Sequence, residues 1–587
     1  MPRHWRYAPH DSALIGGLTR ELGCSPLLAQ VLLSRGVNNG AEAKLYLSAQ
    51  LKDLHEPEEL PGASEAADRV VAAIRSQRRI TIYGDYDVDG VTATSILWYC
   101  LKLAGATVDY YIPSRLEEGY GLNSEAIRTL HEEDPERLVV TVDCGVSAIE
   151  QAALAKELGL ELVITDHHTI GDVLPDACIM HPRLPGGTYP FGDLCGAGVA
   201  FKLAWAICQR LGDGKKASPR MKEFLLTAIG LAAVGTVADV VPLVRENRIL
   251  VANGLQSLAN RATLGMKALM KVAGIEEGKV LTAEDIGFAI GPRINAAGRL
   301  GQARLAVELL TTDNATRAAQ LAEYVDQLNK NRQTVERRIF KEAKEQVESN
   351  GWEDRAALVL ASGEWHPGVI GIVASRIAEH FEKPTVLIAL NDTEGTGQGS
   401  GRSFNGFDLY SALASCQEHL LGFGGHRAAA GVRVDVERLE QFRVALHEYA
   451  ATQQDADEGD IVLPIDAEVT FADLHHKAVQ ELERLGPFGA EHRRPRFVAN
   501  RVELVDPPKK MGGGDRHLSL KLKQGHKVLR AIAFGKGDWA DEIAAATGSL
   551  SFCFSAGFNS YRGYESVELQ LIDWQSQETP APIGSTT

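Results

Sequence analysis

At 587 residues the chain exceeds what a single hydrophobic core organises, so about three or four domains are expected. With 45% hydrophobic and 24% charged residues it has the composition of an ordinary soluble protein. A formal net charge of -16 excludes a protein that coats nucleic acid through bulk positive charge, although 61 lysines and arginines leave room for a focused basic channel with steeply salt-dependent binding.

Residues 1–60 read as a small helical lead-in, in which Ser25-Pro26 caps a helix over residues 27–33 that Gly36 stops. From residue 61 apolar strands alternate with helices. Strands are expected at 80–84, 108–112, 138–143, 161–166 and 177–180, with helices between them at 66–76, 91–103 and 147–158. This rhythm indicates an α/β domain, residues 61–313, built on a parallel sheet covered on both faces. Ligands in such sheets bind beyond the carboxyl ends of the strands.

Those ends carry the chemistry. Tyr83-Gly84-Asp85-Tyr86-Asp87-Val88-Asp89-Gly90 follows the first strand and sets three carboxylates over five residues. Unpaired, they repel one another, and a divalent cation is the simplest compensation. The third strand ends in Asp143-Cys144-Gly145 and the fourth in Asp166-His167-His168. A lone aspartate at a strand end is ordinarily a helix N-cap; three such ends together argue for a shared site. Phe224 to Val241 is the longest apolar run, broken by Thr227, Gly230, Gly235 and Thr236. It reads as a buried helix leading into the site rather than a membrane span, with Asp239 isolated among apolar neighbours as a ligand or a paired structural acid.

Gly291 to Leu300 places Arg293 and Arg299 in a glycine-rich turn suited to phosphate. Residues 314–350 read as a long charged connecting helix. A second, smaller α/β unit occupies 351–452, where the Gly395–Ser403 run is expected to cradle a phosphate through backbone amides and Arg402. After an acidic linker, residues 462–575 hold short β-like runs with turn signals, the pattern of a small barrel. Basic and aromatic residues interleave there (Arg493, Arg494, Phe497, Lys509, Lys510, Tyr561, Arg562), which suits a single-strand stacking surface. Residues 576–587 are expected to be a disordered tail. The eight cysteines form no C-x-x-C pair, and the N-terminus lacks the apolar core of a secretory signal, so a reducing cytoplasm is expected and no membrane.

Tyr83–Gly90, Val142-Asp143, Asp166-His167-His168 and Gly235-Thr236-Val237-Ala238-Asp239 resemble the motifs of DHH phosphoesterases. Gly424-Gly425-His426-Arg427-Ala428-Ala429-Ala430-Gly431 resembles the glycine-rich motif of their second, DHHA1 domain. With a trailing OB-like barrel, the order is similar to the branch that degrades single-stranded DNA from 5′ to 3′ in repair and recombination. The resemblance implies two Mn2+ or Mg2+ ions, held by Asp85, Asp87, Asp89, Asp143, His167 and Asp239. Asp143 would bridge them and His168 would ligate or orient the phosphate; Asp85 is the least defined, because other branches place a histidine where Tyr83 stands. Carboxylates with imidazoles and no thiolates suit such cations better than zinc. Arg115, Arg293, Ser400, Arg402 and His426 are the candidates for holding substrate phosphates. Implied partners are single-stranded DNA, a single-strand-binding protein and a helicase, with the enzyme a monomer. Two alternatives are an enzyme of short oligoribonucleotides or cyclic dinucleotides, whose relatives are shorter and lack the barrel, and a silent scaffold, which would be expected to have lost metal ligands.

Overall fold

The computed structural model describes residues 4–114, 118–391, 393–454, 462–561 and 564–577. Two compact units emerge, Leu54–Glu458 and the combination of Met1–Asp53 with Gly459–Thr587.

In the first unit, strands Ile80–Tyr83, Val108–Tyr111, Leu138–Val142, Glu161–Thr165 and Cys178–Met180 form one parallel sheet in the order second, first, third, fourth, fifth. Ile80–Tyr83 and Leu138–Val142 are buried throughout, which is why they read as continuous apolar runs. The order reverses between the first and third strands, which lie side by side with Tyr83 opposite Thr141. Their carboxyl ends therefore open a crevice at the switch point of the sheet. Helices Val88–Leu103, Gly196–Arg210 and Pro219–Ala238 pack on one another beside it. Pro219–Ala238 is long and apolar enough to cross a membrane by length and composition, yet Ala228 to Thr236 are buried among these neighbours.

The glycine-rich run at 291–300 is a helix, Gly291–Arg299, and not a turn. A single π-helical turn, Ile286–Ile290, precedes it. Ile294, Ala296 and Ala297 are buried, and Gly298 packs so tightly that a Cβ would stand 2.1 Å from the Tyr86 carbonyl oxygen. Local composition suggested a loop; packing against the acidic segment requires small helical residues. The 35-residue helix Ala315–Ser349, capped by Asn314, then leads to the second sheet.

That sheet runs Gly422–Gly425, Ala429–Asp435, Thr396–Arg402, Thr385–Asn391, Leu358–Ser362. Thr396–Arg402 was expected as a phosphate-cradling loop, but it is an interior strand paired on both sides. Its amides belong to the ladder and do not cradle an anion. Alternation decides what its residues do. Gly397, Gly399 and Gly401 face the core, where a Cβ on Gly399 would meet Val432 Cγ2 at 2.5 Å. Ser400 and Arg402 face the opposite side.

The second unit is a β-barrel with an N-terminal helical layer. Phe497–Leu504, His517–Gln524, Lys527–Ala533, Ser549–Tyr561 and Tyr564–Gln577 are its main strands, closed by pairing of Phe497–Leu504 with both Ser549–Tyr561 and His517–Gln524. The lead-in is not a separate body. Strand His4–Tyr7 pairs in parallel with Val462–Ile465, and helices Ser12–Leu22 and Pro26–Ser34 share the barrel core with Phe497, Phe552 and Phe554. Ser34 Oγ donates to Asp466 Oδ1 at 2.7 Å. The division therefore falls after Asp53 rather than after residue 60. The expected tail at 576–587 lies outside the described residues from 578 onward.

Candidate metal centre

Asp87 caps helix Val88–Leu103: its Oδ1 accepts from the amides of Asp89 at 2.8 Å and Gly90 at 3.1 Å. Asp89, in the first turn of that helix, reaches the N-terminus of Gly196–Arg210. Its two oxygens accept from the Gly196 amide at 2.6 Å and the Ala197 amide at 2.8 Å, where the helix end favours negative charge. Asp143 is buried at the end of the third strand in a left-handed conformation, φ +63°. Glycine is required opposite it, since a Cβ on Gly196 would stand 2.5 Å from Asp143 Oδ1.

These placements converge. His167 Nε2 lies 3.2 Å from Asp143 Oδ1 and 3.7 Å from both Asp89 Oδ2 and Asp239 Oδ2. Three sets have ligand-capable atoms mutually within 4.8 Å: Asp85, Asp87 and Asp143; Asp89, His167 and Asp239; Asp143, His167 and His168. Every acid and histidine expected to hold metal is thus in one cluster, Asp85 included, and Asp143 belongs to two of the sets.

The electrostatics are frustrated without a cation. Burial, and then the charges of Asp89, Asp87, Asp85 and Asp239, pushes the Asp143 carboxyl well above its usual range. Burial and Asp89 do the same to Asp87, and burial with Asp89 and Asp87 carries Asp239 up to about 8. Burial lowers His167 and so favours the neutral imidazole that ligates metal. His168 differs: burial opposes its charge, but the 2.8 Å hydrogen bond to Asp166 Oδ1 raises it to about 9. In Asp166 burial is likewise outweighed by that bond, leaving it at about 2. Asp143 Oδ1 and His167 Nε2 are buried and make no hydrogen bond. Mutually repelling carboxylates with an imidazole nitrogen aimed among them, and no thiolate in any of the three sets, fit Mn2+ or Mg2+.

The phosphate candidates divide. Ser400 and Arg402 line a cavity of about 270 Å³ with Gly368, Gly425 and Gly431. Arg402 Nη1 donates to Ser400 Oγ at 2.9 Å, which presents both groups together. His426 is exposed next to Gly425. Arg293 is engaged elsewhere: Nε donates to Asp326 Oδ1 at 2.8 Å and Nη1 to the Ala289 carbonyl at 2.7 Å. It ties its helix to the long connecting helix, contrary to expectation. Arg299, six residues on, donates from Nη1 to the carbonyl of Gly368 in the cavity wall at 3.1 Å. Arg115 lies outside the described residues.

Two residues of the site, Asp166 and Tyr120, had no role assigned from sequence, and Arg299 was not told apart from Arg293. Asp166 orients His168 and accepts from the Val146 amide at 2.9 Å. Arg299 shares a short run with Arg293, and only packing separates them. Tyr120 follows the second strand and touches His168; the Gly-Tyr-Gly around it was its only sequence signal.

In the barrel, the expected stacking surface is partly core. Phe497 is fully buried, Arg493 pairs with Asp466, and Arg494 pairs with Glu483 at 2.9 Å. Arg562 lies outside the described residues. Phe534 is exposed, with His517 edge-on at 5.5 Å, and Lys536 lies over the Trp539 ring.

Comparison with known proteins agrees with this architecture. The DHH family N-terminal domain matches residues 79–231, the DHHA1 domain residues 354–452 and the RecJ OB domain residues 465–573. The chain is 37% identical over 570 residues to the single-stranded-DNA-specific exonuclease RecJ of Bacillus subtilis (strain 168), covering 97% of this chain and 70% of that protein. It is 34% identical to the Escherichia coli (strain K12) protein of the same name over 574 residues, covering 93% and 95%. The crystal structure of RecJ from Thermus thermophilus in complex with Mn2+ superposes with a TM-score of 0.82 at 32% identity, over 98% of this chain and 80% of that one. A Mg2+ complex of the Thermus protein superposes with a TM-score of 0.76 at 31% identity, over 98% and 79%. The chain belongs to the RecJ family of DHH phosphoesterases.

Proposed function

We propose that the chain is a metal-dependent exonuclease that degrades single-stranded DNA from the 5′ end to mononucleotides. Its relatives carry single-stranded DNA in their names, and the chain spans most of their length. The reading rests on the unsatisfied pair Asp143 Oδ1 and His167 Nε2, 3.2 Å apart among further buried acids. Asp85, Asp87, Asp89, Asp143, His167 and Asp239 would hold two cations, and Asp143 belongs to two of the three metal-capable sets. Mn2+ or Mg2+ bound by these residues would supply an activated water and counter-charge for the leaving oxygen of an in-line displacement.

The chain's own groups do the rest. Asp87 and Asp89 are aimed by the helix amides that donate to them. His168, held charged by Asp166, orients the scissile phosphate. Arg402 and Ser400, with Arg299 behind the cavity, take the terminal 5′ phosphate, since the planar guanidinium matches two phosphate oxygens. Gripping a terminal phosphate selects a chain end over an internal bond. His426, exposed beside Gly425, contacts a phosphate nearby, and Arg115 is proposed for a further substrate phosphate. On the barrel, Phe534, His517 and Lys536 offer a stacking and cationic surface to the unpaired strand. We infer a cytoplasmic monomer serving repair and recombination, supplied with single strands by a helicase and a single-strand-binding protein. Its eight free, buried cysteines suit a reducing compartment.

The deciding experiment digests 5′-labelled and 3′-labelled single strands with Mn2+, Mg2+ and chelator, beside duplex controls. Early release of labelled mononucleotide from the 5′-labelled strand alone is expected, with duplex resistant. Inactivity of the Mn2+-loaded protein on single strands would sink the proposal. Faster turnover of a dinucleotide than of a long strand would replace it with the short-oligonucleotide reading.

A further inference from the structure

The loop after the second strand is built around one side chain. Glu118 anchors it: Oε2 accepts from Tyr111 Oη at 2.6 Å and Asn123 Nδ2 at 3.0 Å, and Oε1 from the Ser114 amide at 2.8 Å. Beyond it, Tyr83 Oη donates to the Gly121 carbonyl at 3.0 Å. Between these anchors Tyr120 is flanked by Gly119 and Gly121, both at φ +83°, a conformation that favours glycine. The chain is thus pinned on either side of Tyr120 and turned so that its ring meets the metal cluster.

The tyrosine hydroxyl donates to the carbonyl oxygen of Asp143 at 3.3 Å and lies 3.1 and 3.2 Å from the ring nitrogens of His168. His168 Nδ1 is already committed to Asp166, so Nε2 is the nitrogen left for the hydroxyl. A continuous path results, from Asp166 through His168 and Tyr120 to the main chain of Asp143. Asp143 needs such support. A non-glycine residue in the left-handed region carries roughly 1–3 kcal/mol of strain and persists only where its surroundings hold it. Its amide donates to the Thr165 carbonyl at 3.0 Å, and Tyr120 holds the carbonyl side.

We propose that Tyr120 is a positioning residue: its hydroxyl holds the Asp143 peptide and the His168 ring in register for metal binding. This deepens the two-cation reading and rests on it. Partners of metal ligands at this remove typically change metal affinity or activity by about 10- to 100-fold when removed.

Tyr120→Phe removes the hydroxyl and keeps the ring, whereas Tyr120→Leu removes both. Mn2+ affinity is measured by titration calorimetry on the full chain, with kcat and KM on a single-stranded oligonucleotide and the melting temperature of chelated protein as a folding control. The inference predicts about 10- to 100-fold weaker Mn2+ binding for both variants at an unchanged melting temperature. It also predicts recovery of kcat at saturating Mn2+ and a DNA KM within about twofold of wild type for Tyr120→Phe. Wild-type Mn2+ affinity in Tyr120→Phe overturns the inference, as does a defect confined to the leucine variant and to KM, which would make the ring a DNA contact. Because calorimetry needs no substrate, a wild-type protein that binds Mn2+ but spares DNA refutes the exonuclease reading and leaves this comparison intact.

Discussion

Two buried charged clusters lie along one helix, Gly196–Arg210, and they are opposites. Lys202 and Glu246 are essentially inaccessible and paired at 2.7 Å. Lys202 also donates to the His55 carbonyl, and Glu246 accepts from Tyr189 Oη and, at 2.9 Å, from the His55 amide. Charge and hydrogen bonding both balance there, so the network clasps the segment around His55 and asks for nothing more. At the helix N-terminus, Asp89, Asp143, Asp87, Asp85 and Asp239 crowd together, with buried polar atoms that make no hydrogen bond. Burial of charge is common to both. What marks a site for chemistry is the surplus of one sign and the unsatisfied donor atoms.

The sharpest way to break this contrast is to exchange one member of each cluster. Asp143→Asn should abolish Mn2+-dependent nuclease activity, because the shared ligand is lost. Asparagine tolerates the left-handed backbone, so the chelated protein should melt at an equal or higher temperature once one repelling acid is gone. A lowered melting temperature in chelator would mean that the acid cluster, like the lysine pair, is structural.

Lys202→Met should do the reverse. It leaves Glu246 buried and uncompensated, which costs about 3–5 kcal/mol in denaturant unfolding, while kcat of the folded fraction is unchanged. Adding Glu246→Leu should recover much of that loss. Wild-type stability in Lys202→Met would end the contrast from the other side.

The pH response separates the clusters by sign. Asp239 titrates near 8 in the folded, metal-free protein against an ordinary 3.8, so its folded form holds the proton more tightly. That contribution is complete below the ordinary carboxylate range and is lost as pH rises from about 4 through about 8. Chelated protein should therefore lose stability over this window, and saturating Mn2+ should reverse the trend, since metal displaces the protons. Melting temperatures across pH, with and without metal, check it; identical slopes would show that these acids do not bind the ion. The smallest effect is expected for Gly196→Ala. Its Cβ would press on Asp143 at 2.5 Å, costing about 1–3 kcal/mol of stability through overpacking and weakening Mn2+ binding measured by calorimetry.

Much of the site was legible because each candidate ligand sits at a strand end or helix terminus that local pattern reveals. The N-cap reading of such aspartates and the ligand reading proved compatible. Asp87 caps Val88–Leu103 through one oxygen and still belongs to a metal-capable set. The phosphate side was harder. Arg293 and Arg299 share residue type and helix, yet Arg293 meets Asp326 and Arg299 meets Gly368. The glycines of 397–401 resembled an anion loop because crowding by core side chains and approach of a ligand both call for glycine.

Sequence alone determined the alternation of strands and helices, the long connecting helix, the trailing β domain and the residue types of the metal cluster. These follow from periodicity, chain termination signals and the chemistry of the side chains. Tertiary structure decided which arginine of the Gly291–Arg299 helix bonds the cavity wall, that Thr396–Arg402 is an interior strand, that Tyr120 braces Asp143, and that the N-terminal helices complete the barrel. Those outcomes depend on which surface a distant segment covers: His4–Tyr7 pairs with a strand more than four hundred and fifty residues away, and spacing along the chain does not encode that partner.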